Sequence, residues 1–183
     1  MNQQKTSALL VMDFQTMIVG MLENPDQLLD NVNKAIKKAR ANGIPVFFIR
    51  VGFRSGAPEI SPNNKPFMNY KKNYDVIGDK WKEIHPALNM SQNDVIINKR
   101  RVSAFTGSDL QVLLSGQQIS HLVLAGIATS GVVLSTLREA ADKDFVLTVL
   151  ADCCADRDEE VHRILTNKIF PNQASVLQVD DWN

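Results

Sequence analysis

Two side chains of opposite charge stand where apolar runs end. Asp13 follows SALLVM directly, and Lys99 follows DVIIN. Short apolar runs rich in β-branched residues read as buried parallel strands. In an open α/β sheet, ligands sit at the C-terminal ends of the strands. If the two strands are neighbours, a carboxylate and an ammonium meet at that rim. A Lys⁺ beside an Asp favours the ionised carboxylate. Such a pair can move a proton and hold a substrate oxygen or carboxylate. The alternative is a structural ion pair or two solvated charges.

A third feature is His121 to Asp142, HLVLAGIATSGVVLSTLREAAD. It reads as a strand at Leu122–Ala125, a turn at Gly126–Ser130 and a helix at Gly131–Asp142. Gly126 and Gly131 have P-loop spacing, but Val132-Val133 replaces the Lys and Ser/Thr that phosphate and Mg²⁺ need. The closer glycines of a dinucleotide fingerprint are absent. The N–H groups of Ala128, Thr129, Ser130 and Gly131 at this helix start suit an anion or oxyanion, unless the turn is merely tight. Ser130 lacks the G-x-S-x-G surroundings of a nucleophile elbow. It also lacks an evident base, since His121 opens a strand at the wrong end and His162 lies on a late helix. A fourth strand end carries Asp152-Cys153-Cys154, but small cysteines commonly pack in cores. His85, in EIHPAL, is either a pocket residue or a structural loop histidine. No His/Asp cluster has metal-ligand spacing, so neither metal nor cofactor is implied.

These residues need a scaffold. Strands are predicted at Ala8–Met12, Val46–Val51, Val95–Ile97, Leu122–Ala125, Val146–Leu150 and Ser175–Gln178. Asp26–Asn42 places Leu28, Leu29, Val32, Ala35, Ile36 and Ala39 on one helical face, with Asn42-Gly43 as the stop. Ser108 and Asp109 precede a helix carrying Leu110, Leu113 and Leu114. Asp156 and Glu159 form a capping-box-like start to another, with Val161, Ile164 and Leu165. Alternating strands and helices make a parallel sheet covered on both faces: a three-layer, doubly wound, Rossmann-like α/β fold. Gly52–Asn93 stands apart. It carries Phe53, Phe67, Tyr70, Tyr74 and Trp81, with Arg54, Lys65, Lys71 and Lys72, and reads as a functional lid or a subunit contact. A short helix is expected within it near Asp79–Ile84.

At 183 residues the chain suits one domain over 1–183. Its formal net charge of zero argues against nucleic acid or an anionic membrane as partner. The start lacks signal-peptide features, and no apolar run nears the roughly 18 residues of a membrane span. The two cysteines are adjacent, which suits no disulfide framework. The expected location is the cytoplasm.

Taken in order, VMDFQ around Asp13, NKRRVSAFTGSDL around Lys99 and LVLAGIATSGVVLSTLREA resemble the isochorismatase-like, or cysteine hydrolase, superfamily. EIHPAL ahead of the lysine strand is similar too, and the match runs over roughly Ala8–Gln178. The resemblance implies a six-stranded parallel sheet and a homodimer or higher homo-oligomer acting on a small-molecule substrate. It implies Asp13 as general acid/base and Lys99 as the catalytic lysine. It implies a cis bond at Ile127-Ala128, with neighbouring amides forming an oxyanion hole. Amidase-type members carry their nucleophilic cysteine at the position of Val132, and the metal-binding motif of nicotinamidases is missing from RVGFRSGAPEIS. Isochorismatases proper also dispense with that cysteine and hydrolyse a vinyl ether through proton transfer and water. The implied activity is hydrolysis of a vinyl ether or small amide by an Asp/Lys pair and water. The alternative is a non-catalytic small-molecule-binding or interaction protein on the same fold.

Overall fold

A computed structural model describes residues 6–73 and 78–183. Six parallel strands form one sheet: β1 (Thr6–Met12), β2 (Val46–Val51), β3 (Val95–Lys99), β4 (Ile119–Ile127), β5 (Val146–Ala155) and β6 (Ser175–Leu177). Their order is β3-β2-β1-β4-β5-β6. The chain starts in the middle, winds outward to one edge, then crosses to the other side. The doubly wound α/β fold expected from the pattern is therefore present. No helix of the described residues is long and apolar enough to cross a membrane.

The period-2 alternation of a strand sends successive side chains to opposite faces. On β1, Ala8, Leu10 and Met12 join one core, while Leu9 and Val11 join the other. Helix α2 (Asp26–Ala41) covers the second with Leu29, Val32, Ala35, Ile36 and Ala39. Helices α4 (Leu110–Gly116) and α5 (Leu134–Ala141) cover the first with Leu110, Leu114, Leu137 and Ala140. Each fully buried Leu or Val contributes about 1.5–3 kcal/mol, so both faces hold the sheet and its rim in place.

Several boundaries differ from the sequence expectation. Strand β4 continues to Ile127, and a π-helical turn (Thr129–Val133) precedes α5, so the regular helix starts at Leu134 rather than Gly131. Strand β5 runs to Ala155 because it bulges: Leu124 pairs with Val149, but Gly126 pairs with Cys154. Helix α6 (Glu159–Ile164) is capped by Asp158, whose carboxylate accepts the amides of Glu160 and Val161. Asp156, the expected cap, bonds elsewhere. Within 52–93 lie α3 (Lys65–Lys72) and a 3-10 turn at Gly78–Lys82, while the four-residue α1 (Thr16–Val19) lies between β1 and α2. The 3-10 turn stands close to the short helix expected near Asp79–Ile84; α1 and α3 are not marked by the sequence pattern. Tyr74 lies outside the described residues.

Candidate active site

Asp13 and Lys99 meet, but not on neighbouring strands. Strand β2 lies between β1 and β3. Adjacent strands are about 4.8 Å apart, so the pair must bridge roughly twice that across the end of β2. The long lysine stem does so: its Nζ is 2.8 Å from Asp13 Oδ2. Lys99 sits in register with Val51, the last residue of β2. Asp13 has left-handed backbone (φ 60°), which Asp tolerates better than most residues. Its amide still donates to Ile49 O at 2.7 Å, which anchors the turn to β2.

The lysine is saturated. Its three N–H groups go to Asp13 and to the carbonyls of Arg101 and Val102, each at 3.0 Å. The aspartate is not. Its Oδ1 is buried and has no hydrogen-bond partner among the described residues. Burial raises the Asp13 carboxyl above its ordinary range and outweighs the opposing charge and hydrogen bond of Lys99. Lys99 favours the ionised carboxylate, as the sequence suggests, but desolvation acts the other way and is the larger effect here.

The pair lies in a pocket of about 210 Å³. Ile127, Ala128, Gly131 and Val132 line one side, with Ile18, Val102, Phe67, Trp81 and Arg157 among the others. The Ile127-Ala128 peptide is cis. Val132 is 2% exposed. Gly126 lets the turn leave the sheet: an added Cβ would lie 3.0 Å from Val133 Cγ2 and 3.2 Å from the Met12 carbonyl.

Two expected turn residues do not face this pocket. The Thr129 hydroxyl is 2.8 Å from His162 Nδ1, and Thr129 is fully buried. Ser130 is exposed, and its amide and hydroxyl both donate to Asp156 Oδ2, at 2.7 and 2.6 Å. Gly131 N–H donates to Ala128 O at 3.0 Å. The amides of Ser130 and Gly131 are therefore engaged and are not open oxyanion donors. The turn closes on its own carbonyl and on an outside carboxylate.

The remaining candidates fall away from the pair. Cys153 and Cys154 lie inside β5, both buried. Burial pushes the Cys154 thiol up to about 12 and the Cys153 thiol higher still. The bulge moves the rim of β5 past them to Asp156 and Arg157. His85 Nδ1 accepts the Ala87 amide at 3.3 Å and lines no part of this pocket. His121 bonds Ser7 (2.9 Å) and Thr148 (3.0 Å) at the far end of the sheet. Phe53, Phe67, Tyr70 and Trp81 pack on one another, with ring centroids 5.1–5.3 Å apart. Of these, Phe67 and Trp81 reach the pocket. Arg54 pairs with Glu59 at 2.7 Å, and Lys71 donates to Ile60 O at 2.9 Å, so both tie the segment to itself. Lys65 and Lys72 are exposed.

Three contributors are not recognised from the sequence as part of the site. Gln15 is fully buried; it accepts the Val51 amide (2.8 Å) and donates to the carbonyls of Val51 (3.1 Å) and Trp81. It binds the ends of β1 and β2 to the turn that carries Trp81. A polar residue two positions past Asp13 was the available signal. Arg157 and Asp156 went unnoticed as rim residues because the bulge in β5 hides the true strand end. Among the described residues, no three His, Cys, Asp or Glu side chains group as a metal site. Chemically, the site offers a buried carboxyl, a fixed cation beside it and a half-open, mainly apolar space.

The Isochorismatase domain family matches residues 7–181. The isochorismatase family protein YecD of Escherichia coli O157:H7 is 33% identical over 180 residues, covering 97% of this chain and 94% of that protein. N-carbamoylsarcosine amidase of Arthrobacter sp is 26% identical over 134 residues, covering 72% of this chain and 51% of that one. An isochorismatase family protein of Burkholderia thailandensis superposes with a TM-score of 0.81 at 27% identity, covering 96% of this chain and 93% of that one. The chain belongs to the isochorismatase family of hydrolases.

Proposed function

We propose that this protein hydrolyses a small metabolite, of the vinyl ether or small amide type, with Asp13, Lys99 and water and without a thiolate. The observation that carries this reading is the unpartnered Oδ1 of Asp13 beside a saturated Lys99. A carboxyl held up by burial can give its proton to a substrate. With a vinyl ether, that proton goes to the alkene carbon, water adds to the resulting cation and returns one proton to Asp13, and the other proton of that water passes to the leaving oxygen as the C–O bond of the adduct breaks. With an amide, Asp13 starts ionised, takes a proton from the water that attacks the carbonyl carbon, and gives it to the leaving nitrogen as the C–N bond breaks. In both cases Lys99, 2.8 Å away, stabilises the carboxylate whenever the proton is absent. Its ammonium is preorganised by two carbonyls, so it need not reorient during the reaction.

Val132 supports water as the attacking species. By the resemblance, this position holds the nucleophilic cysteine of amidase-type members, and an aliphatic side chain cannot replace it. Burial keeps Cys153 and Cys154 protonated, and the Ser130 hydroxyl is committed to Asp156. The amide arm draws on the amidase among the relatives. The branched Val132 on the pocket wall favours a second reading, a small-molecule binder that does no chemistry. The test is a panel of isochorismate-like vinyl ethers and small amides, assayed with wild type and Asp13→Asn. Turnover that vanishes in Asp13→Asn is expected. Equal turnover in both sinks the mechanism, and saturable binding with no turnover favours the binder.

A further inference from the structure

A second cavity of about 470 Å³ adjoins the reactive pocket and shares Met21, Leu22 and Arg157 with it. Asp156 and His162 line this larger cavity and not the smaller one. Yet both reach the turn that walls the smaller one. We propose that Asp156 and His162 are positioning residues that hold the 128–132 turn through Ser130 and Thr129. This rests on reading the Asp13–Lys99 pocket as the reaction site.

The turn is held from inside and from outside. Inside, Ala128 O accepts from Gly131 N at 3.0 Å and from Val133 N at 3.3 Å, and the Leu134 amide donates to the carbonyls of Thr129 and Gly131. The outside bonds are shorter: 2.6 and 2.7 Å from Ser130 to Asp156, and 2.8 Å between Thr129 and His162. They act on consecutive residues from the segment after β5. Burial pushes the Asp156 carboxyl up, but the Ser130 hydroxyl and amide and the neighbouring amides together hold it below its ordinary range. The bonds to Ser130 are therefore charge-assisted. Burial keeps the His162 imidazole below its usual range, opposed by the charges of Asp156 and Glu159. Glu23, Arg157 and the Cys154 thiol are the other ionisable groups lining the same cavity.

The test uses Asp156→Ala, Asp156→Asn, His162→Ala and His162→Gln in the full chain. The first readout is amide hydrogen exchange at Gly131 and Val133, whose acceptor neither residue touches. Asp156→Ala and His162→Ala should speed exchange there by about tenfold or more. Leu122–Leu124 in β4 should be unchanged. The second readout is the kcat and KM of a substrate from the panel. A displaced pocket wall should lower kcat by up to about 100-fold with little change in KM. Asp156→Asn and His162→Gln, which keep hydrogen-bonding atoms in place, should recover most of it. Unchanged exchange at Gly131 and Val133 overturns the proposal, as does faster exchange with unchanged kcat. If wild type hydrolyses nothing on the panel, the hydrolase reading fails and exchange alone decides this proposal.

Discussion

Replacing Lys99 with Met removes the ammonium and keeps an unbranched stem. Lys99 is 1% exposed and is hydrogen-bonded to Asp13 Oδ2 and to the carbonyls of Arg101 and Val102. Losing a donor costs each stranded carbonyl about 1–3 kcal/mol. Breaking a buried ion pair from one side costs about 3–5 kcal/mol when the remaining charge stays buried. Asp13 can escape part of this by taking up a proton. Its carboxyl is already raised by burial, with Lys99 opposing, so the variant raises it further. A carboxyl raised in the folded state keeps its full stability contribution below its unfolded-state pKa. It loses that contribution as pH rises through the folded value. The deficit of Lys99→Met against wild type should therefore be smallest near pH 4. It should grow toward neutral pH, at up to about 1.4 kcal/mol per pH unit. Urea unfolding at a series of pH values, followed by Trp81 and Trp182 fluorescence, measures it. In Asp13→Asn/Lys99→Met the growth with pH should vanish. A deficit independent of pH, or below about 1 kcal/mol at neutral pH, refutes the claim that desolvation dominates this pair.

Three further outcomes are expected. Native protein at pH 8 should resist iodoacetamide at Cys153 and Cys154, both buried with raised thiols, and should react at both in urea; native alkylation by mass spectrometry contradicts the burial. Val132→Cys should add one native labelling site beside Asp13 and Lys99, and no added label means that position 132 does not face the pocket. Gly126→Ala should lose about 1–3 kcal/mol in chemical unfolding, because its Cβ would overpack Val133 and Met12; a neutral change means that the turn yields freely.

Much of this architecture can be read along the chain. Apolar runs with β-branched residues mark the strands, and the face of Leu29, Val32, Ala35, Ile36 and Ala39 marks α2. These are local, periodic signals, and burial on two faces enforces them. Asp13 and Lys99 were legible as strand-end charges for the same reason. What β5 does was not legible: its bulge is a pairing mismatch with β4, so Cys153 and Cys154 looked like rim residues and Asp156 like a helix cap. Gln15, too, has meaning only once Val51 and Trp81 are beside it.

The sequence by itself determined the doubly wound pattern, the two charges and the absence of a thiol at position 132. These depend on residue type, strand-end position and match to known motifs, which need no coordinates. Tertiary structure alone decided that the charges meet across an intervening strand, that Lys99 is saturated while Asp13 is not, and that burial outweighs the ion pair at Asp13. It also decided that Ser130 and Thr129 are held from the neighbouring cavity rather than facing the pocket. Distance, desolvation and hydrogen-bond competition depend on residues far apart in the chain, so they exist only after folding.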